Sequence, residues 1–420
     1  MTGGRLFAFT LLLGLGHLLR PAPLDARESK GTPAARALFS QGEAAAKAGK
    51  PAEAAAAFRK AIEADPDFVD AHQRFIESTR RAQMPGSRTP TLPQLQTLYE
   101  RWARQHPKRA AYRWALGFLT HDPARADVFF NDALRIDPAF ARAHVMLAKN
   151  ADLRGDWVAQ RQHLKAAVES NPDDPQYLMR YAHAHKRSDP KRFRELALSV
   201  VDKFPDSPSA AEALYQLASE SSNPERRMYF ERLRASYPAD KFGYASLAMS
   251  DFYAELTTPS EALAVAKDMA KWLPASKTWA QRVVHQETMA RAQALIAEGK
   301  FIEALDVVQT TQRPSGSHGA TWVLLKAEAG TGAGQFDQVY AALVESVAAA
   351  PDARVEAALV KCGTALKKSS QEMNADIWRI RDAKAVPAPP FELTGDKEGK
   401  PVQLADYRGR VVLLAFWFPG

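Results

Sequence analysis

One cysteine, Cys362, stands in 420 residues. No disulfide can form within the chain, so the fold has to rest on apolar packing. Glycine is sparse at 22 residues, which excludes collagen-like and glycine-rich low-complexity classes. Lysine and arginine never run five in a row. The 56 basic and 48 acidic residues are interspersed, and the net charge of +8 reads as the solvated faces of helices rather than a nucleic-acid footprint. No apolar run reaches the ~20 residues that a helix needs to cross a bilayer. With 46% hydrophobic and 25% charged residues, the composition is that of a packed globular chain.

The longest apolar run at the N-terminus is Leu6 to Leu19, preceded by Arg5 and interrupted by Thr10, two glycines and His17. Its length and basic flank fit a secretory signal over residues 1–26, with cleavage near Ala22 or Ala26. An uncleaved anchor is the alternative, and it is the one membrane contact expected. The exported destination is the periplasm or cell envelope of a bacterium. Small exported domains usually carry disulfides, so a single cysteine favours a long helical array over a small stapled fold.

From residue 30 onward the dominant pattern is a helical apolar period that ends at a proline and starts again. These prolines are Pro66, Pro107, Pro138, Pro172, Pro205, Pro238, Pro274, Pro314 and Pro351. Their spacing averages about 36 residues, close to the roughly 34 of a two-helix repeat. Within the first unit, small or aromatic residues fall where two helices would cross: Gly42, Ala54, Phe58 and Ala61, then Pro66. Ala126, Phe130, Ala133 and Pro138 close another unit, and Leu147, Ala148, Leu164, Ala167 and Pro172 form the next. Gly299 with Ala304, and Gly334 with Leu343 and Pro351, continue it. The unit ending at Pro107 departs from the rest through a Pro/Gly/Ser loop, Gln83 to Pro93. This series resembles the tetratricopeptide repeat family. The resemblance implies an all-α superhelical solenoid over residues 30–384, nine stacked pairs, and a concave wall of first helices that receives protein or peptide partners. In the unit beginning at Ala141, the groove-facing positions are Arg142, Val145, Lys149 and Asp152; plain solvated surface is the competing reading.

The composition changes at Ala385. Pro387, Pro389 and Pro390 make an extended linker, GDKEGK reads as a turn, and Val411 to Phe418 has the continuous apolar character of a buried parallel strand. Residues Ala388 to Leu393, Gly399 to Leu404, Asp406 to Arg410 and Val411 to Trp417 resemble the opening of exported thioredoxin-like proteins of the TlpA/ResA and AhpC/TSA group. The resemblance implies a hairpin, a short Leu-x-Asp turn and the first central strand, hence an incomplete thioredoxin-like segment over residues 385–420. In that family the strand leads into a Cys-x-x-Cys at a helix N-terminus, which lowers the first thiol's pKa. No such pair is present, so no catalytic residue is carried over and the chain as given is expected to be redox-inactive. A truncated coding sequence is the simplest account. Phe416-Trp417 favours a thiol-disulfide reductase parent; a peroxiredoxin-type parent is the alternative, and a non-enzymatic envelope scaffold a further one.

Other chemistry-bearing residues read as structural. Cys362 is in line with Val355, Leu359 and Leu366 at helical spacing, the pattern of a buried thiol. His183 and His185 are two apart and point to different helix faces, so no metal site is expected there. Gly330, Gly332 and Gly334 follow a helix and lack the Lys-Ser/Thr of a phosphate loop, so they read as a turn between helices. Ser317-His318 reads as a loop after Pro314. No cofactor and no metal is expected.

Overall fold

The computed structural model describes residues 30–82, 91–393, 401–410 and 412–413. The expected signal segment and most of the expected C-terminal strand lie outside these. The described residues form twenty helices in ten consecutive pairs. They are α1 (Pro33–Lys47) and α2 (Pro51–Ala64), α3 (Val69–Arg81) and α4 (Leu92–Gln105), α5 (Ala110–Leu119) and α6 (Pro123–Ile136). Next come α7 (Ala141–Leu153) and α8 (Trp157–Ser170), α9 (Pro175–His183) and α10 (Pro190–Lys203), α11 (Pro208–Glu220) and α12 (Glu225–Ser236). The series ends with α13 (Gly243–Glu255) and α14 (Pro259–Trp272), α15 (Lys277–Ala297) and α16 (Phe301–Gln309), α17 (Gly316–Gly332) and α18 (Phe336–Ala349), and α19 (Ala353–Ala365) and α20 (Ser370–Lys384). Two compact units result, Met1–Ala248 and Met249–Gly420, and the division falls within α13.

The fold is all-α, as expected, with one pair more than the nine read from the prolines. The additional pair, α19 and α20, follows Pro351. Each of the nine prolines stands just after an even-numbered helix, where a missing N–H and a fixed φ end the helix and turn the chain. Starts are equally local. Pro33, Pro51, Pro123, Pro175, Pro190, Pro208 and Pro259 occupy first turns. Side chains of Thr32, Asp122, Asp156, Asp189 and Ser207 accept from the backbone N–H groups that each start leaves unpaired. The loop expected to run to Pro93 ends sooner, because Thr91 and Gln94 close a capping box and Pro93 is already helical.

Short linkers make the partners of a pair antiparallel: α1 packs on α2, α5 on α6, α7 on α8 and α17 on α18. The second helix of one pair then packs on the first helix of the next, as α2 does on α3 and α6 on α7. The crossing points are where small residues were expected. A Cβ on Gly42 would lie 2.5 Å from Cε1 of Phe58, and one on Gly117 would lie 2.5 Å from Cε1 of Phe130. Ala54, Ala61, Ala133 and Ala167 are fully buried beside such contacts. In the first unit, one continuous apolar core runs from Ala35 in α1 to Leu147 in α7. Next to it lies a small cluster of Ala141, Ala167 and Tyr177, with Val145 and Val168 against it, and buried apolar residues such as Phe193, Val200, Leu214 and Phe230 continue through α10, α11 and α12.

The second unit is packed the same way, with Tyr340, Leu343, Val355, Leu359, Cys362 and Met373 in one cluster. Cys362 is buried there, as its spacing with Val355 and Leu359 suggested. Two loop expectations are corrected in this unit. Gly330 and Gly332 belong to α17 and only Gly334 sits in the turn, with φ of 77°. A Cβ on Gly330 would meet Cγ2 of Val339 at 2.5 Å, so the glycine serves a helix crossing rather than a turn. Ser317 and His318 lie in the first turn of α17, not in a loop.

After α20 the chain extends into β1 (Glu392–Leu393) and β2 (Val402–Gln403), paired antiparallel with Glu392 opposite Gln403 and Leu393 opposite Val402. A 3-10 turn over Leu404–Tyr407 follows, with the Asp406 carboxylate accepting from the Gln403 N–H at 3.0 Å. Of the expected strand Val411 to Phe418, only Val412 and Leu413 are described. They are unpaired to the hairpin, and Leu413 is 91% exposed. A strand forms only where a neighbour continues its ladder, and the hairpin beside these residues is two residues long on each side.

Candidate functional site

In the first unit, a cleft of about 680 Å³ opens between α7, α8 and the end of α9. Sequence position explains the gap. α9 has nine residues where α7 has thirteen, and it gives way after His183 to a turn of successive backbone bonds, among them Lys186 N–H to His183 O at 3.0 Å. Asp189 then caps α10 and Pro190 begins it. Ala184, Arg187 and Ser188 on that turn therefore line the opening in place of another helical turn.

The floor is apolar, built from Val145, Ala148 and Leu164, the last two almost fully buried. Trp157, at the start of α8, forms one side and is 59% exposed. The rim is charged. Lys149 from α7, Arg161 from α8, Arg180 from α9 and Arg187 from the following turn stand around it, against the single carboxylate of Asp152. His183 completes the lining; burial holds its pKa below the ordinary histidine range despite Glu212 at 3.8 Å, so it is uncharged at neutral pH.

Elsewhere in this unit, some cations are paired across helices, Arg74 with Glu43, Arg109 with Asp67, Arg154 with Asp127 and Arg194 with Glu225, while exposed others, such as Arg81, Arg101 and Arg104, show no ion pair among the described residues. The four rim cations are not paired either. Among the described residues, none has a carboxylate within ion-pair distance, and Arg161 has only a long 3.5 Å bond to the Ser188 hydroxyl.

Of the four groove positions expected from the repeat, Val145, Lys149 and Asp152 converge on this cleft. Arg142 does not line it. Its guanidinium pairs with Asp70 on α3 and donates to Gln73 Oε1 at 2.8 Å, which ties α7 back to α3. Trp157, Arg161, Arg180 and Arg187 are absent from the expected set, because the α9 turn that brings them together leaves no mark in the repeat spacing.

A second cleft of about 480 Å³ lies between α17 and α18 in the other unit. Of its charges, Arg313 donates to the Ser346 hydroxyl at 3.2 Å, Lys384 pairs with Glu345 at 3.7 Å, and Lys326 lies over the Trp322 ring at 5.4 Å. Two fully or nearly buried histidines are engaged as well. His72 is fully buried, donates from Nε2 to Pro66 O at 2.9 Å, and accepts at Nδ1 from the Tyr99 hydroxyl at 3.0 Å. His318 bonds to Tyr253 O at 2.8 Å and to the Gln286 amide at 3.0 Å. A motif could have found one class of these. Asp65-Pro66-Asp67-Phe68-Val69-Asp70-Ala71-His72 recurs in outline as Asp137-Pro138-Ala139-Phe140-Ala141-Arg142-Ala143-His144, and both histidines bond the proline carbonyl six residues back.

Residues 35–68 match the family model described as tetratricopeptide repeat. No curated protein sequence matches the chain. Among solved structures, the chain is similar to a thermophilic TPR protein of Thermus thermophilus, at 14% identity and a TM-score of 0.33, over 48% of this chain and 99% of that one. It is also similar to the APC/C hetero-tetramer Cut9-Hcn1, at 14% identity and 0.36, over 78% of this chain and 54% of that one. The P58(IPK) TPR domain is similar at 16% identity and 0.23, over 80% and 99%. Such scores carry no argument about fold, which rests on the helix pairing and crossing contacts above.

Proposed function

We propose that the protein is an exported interaction scaffold of the bacterial cell envelope, whose stacked helix pairs hold the α7–α9 cleft open to receive a segment of a protein partner. The observation that carries this reading is the cleft itself. Among the described residues, it joins an apolar lining that includes the exposed Trp157 to a rim of cations with no carboxylate in ion-pair distance. Selection of displayed peptides against the whole chain tests it, with Ala184→Trp as the sealed counterpart. The reading requires that selected peptides bind the parent protein and lose binding to the sealed one, with melting unchanged. Peptides that bind both equally would show that the cleft is not the receiving surface. Export is tested separately, by fractionating cells that carry residues 1–29 fused to a reporter that works only outside the cytoplasm.

The finer part of the proposal is that the scaffold serves a thioredoxin-like thiol-disulfide oxidoreductase. Its support is the hairpin of β1 and β2 with the Leu404–Tyr407 turn, which occur in the order that the resemblance implies. The chain's own thiol has no part in that chemistry. Cys362 is buried, and burial together with Asp337 pushes its pKa up, away from the thiolate that exchange requires. A disulfide-reduction assay on the protein expressed from its natural gene tests this. Reductase activity that survives Cys362→Ser supports the reading, and an absence of activity leaves the scaffold alone.

A further inference from the structure

Resting on the reading of the cleft as a peptide site, we infer that its ligand is an acidic internal segment carrying an apolar side chain, with carboxylates on the rim and the apolar group on the floor.

Charge complementarity carries this inference. Lys149, Arg161, Arg180 and Arg187 come from four successive stretches of chain and surround one opening, with Asp152 the only acid among the lining residues. Arg74 and Arg194 in the same unit have an acid within reach and pair with it, whereas among the described residues no carboxylate lies within ion-pair distance of the four on the rim, and Arg161 reaches only the Ser188 hydroxyl at 3.5 Å. Unpaired like charges held around one mouth repel each other. An incoming carboxylate relieves that repulsion and gains charge-assisted bonds. Spread over α7, α8, α9 and the following turn, the four donors suit several carboxylates along a chain better than one terminal group.

The floor selects the rest of the ligand. Trp157 offers a broad exposed ring and Val145 a half-buried side chain, over Ala148 and Leu164, which are themselves nearly buried. A purely acidic ligand would leave that surface wet. A Leu or Phe between acidic residues would cover it, and burying such a side chain favours binding. His183 is uncharged at neutral pH and does not add to the positive rim.

Fluorescence anisotropy on the full chain tests the inference with defined probes. The first is a labelled, C-terminally amidated peptide alternating Glu with Leu. The others replace Glu by Lys, or Leu by Ser, and the last is a labelled oligo-dT. The Glu-Leu peptide is expected to bind, the Lys-Leu peptide to fail, and the Glu-Ser peptide to bind more weakly. Reversal of two rim charges, Arg180→Glu with Arg187→Glu, is expected to weaken the Glu-Leu peptide by about tenfold or more, equivalent to ~1.4 kcal/mol. Should that variant fold poorly, a salt titration of the parent protein replaces it; affinity for the Glu-Leu peptide is expected to fall steadily toward ~0.5 M salt. Equal binding of Lys-Leu, an affinity indifferent to both charge reversal and salt, or binding of Glu-Ser as tight as Glu-Leu would each overturn the proposal. Tighter binding of oligo-dT, competed by the peptide, would overturn it in favour of nucleic acid. Neutral peptides that are selected by the parent and displaced by Ala184→Trp would leave the interaction site standing and reject its acidic specificity.

Discussion

His72 Nδ1 lies 3.0 Å from the Tyr99 hydroxyl, and both side chains are fully buried. Pro66 O can only accept, so His72 must carry its proton on Nε2, and Tyr99 then donates to Nδ1. The pair joins α3 to α4 across a stretch where the connecting loop is long. Its stability depends on a neutral imidazole.

Stability should therefore fall in mild acid. Burial lowers the His72 pKa to about 4 from the ordinary 6.5, against smaller opposing effects of Pro66 O and Asp65. Between those two values the unfolded chain binds the proton and the folded chain does not. The contribution is fully present above pH 6.5 and is lost as pH falls toward 4. The difference amounts to about 3 kcal/mol. Urea unfolding of the first unit, followed at a series of pH values, should show this slope, and His72→Phe should flatten it. A slope unchanged by that replacement would assign the acid sensitivity elsewhere.

Gly42→Ala and Gly117→Ala should destabilise, although Ala in an open helix is favoured over Gly by about 1 kcal/mol. The new methyl would stand 2.5 Å from a ring carbon of Phe58 or Phe130, inside fully buried packing. Overpacking of this kind costs about 1–3 kcal/mol. Denaturant midpoints and hydrogen exchange across α1–α2 and α5–α6 give the measurement, and a gain in stability at either position would contradict the crossing geometry.

Arg142 and Lys149, about two helical turns apart on α7, should behave differently. Arg142→Ala removes a partly exposed ion pair with Asp70, for a loss of about 1 kcal/mol or less, and leaves peptide binding at the cleft unchanged. Lys149→Glu should leave stability nearly unchanged and weaken the acidic peptide. A double-mutant cycle with Asp70→Ala separates the ion pair from other effects of the first substitution.

Cys362 should react slowly with a thiol reagent at neutral pH in the native protein and rapidly in denaturant. Its thiol donates to Phe336 O at 3.6 Å, and burial keeps it protonated. Equal rates in both states would mean that the α17–α19 packing opens readily.

Gln286 completes a buried bridge in the second unit. Its amide nitrogen donates to the Tyr253 hydroxyl at 2.8 Å and to His318 Nδ1 at 3.0 Å. Gln286→Leu leaves the buried His318 Nδ1 without its donor and should cost about 1–3 kcal/mol, measurable by urea unfolding. A neutral result would mean that the histidine finds another partner.

The local rules of the chain were enough to determine the fold class. Proline after a helix, a capping side chain before one, and small residues opposite Phe58 and Phe130 act within one helix pair, so they are legible in order along the sequence. Val145, Lys149 and Asp152 were legible for the same reason, since they share one face of α7. Tertiary structure decided the rest. Arg142 shares that face, yet Asp70 lies 72 residues away in sequence and comes within its reach only when α3, α5 and α7 stack. Trp157, Arg161, Arg180 and Arg187 meet around one cleft because α9 stops early. Such a meeting is a property of neighbouring pairs together. The repeat spacing carries the pairs one at a time, so it could name the wall of the groove but not the charged mouth that the stacked helices form.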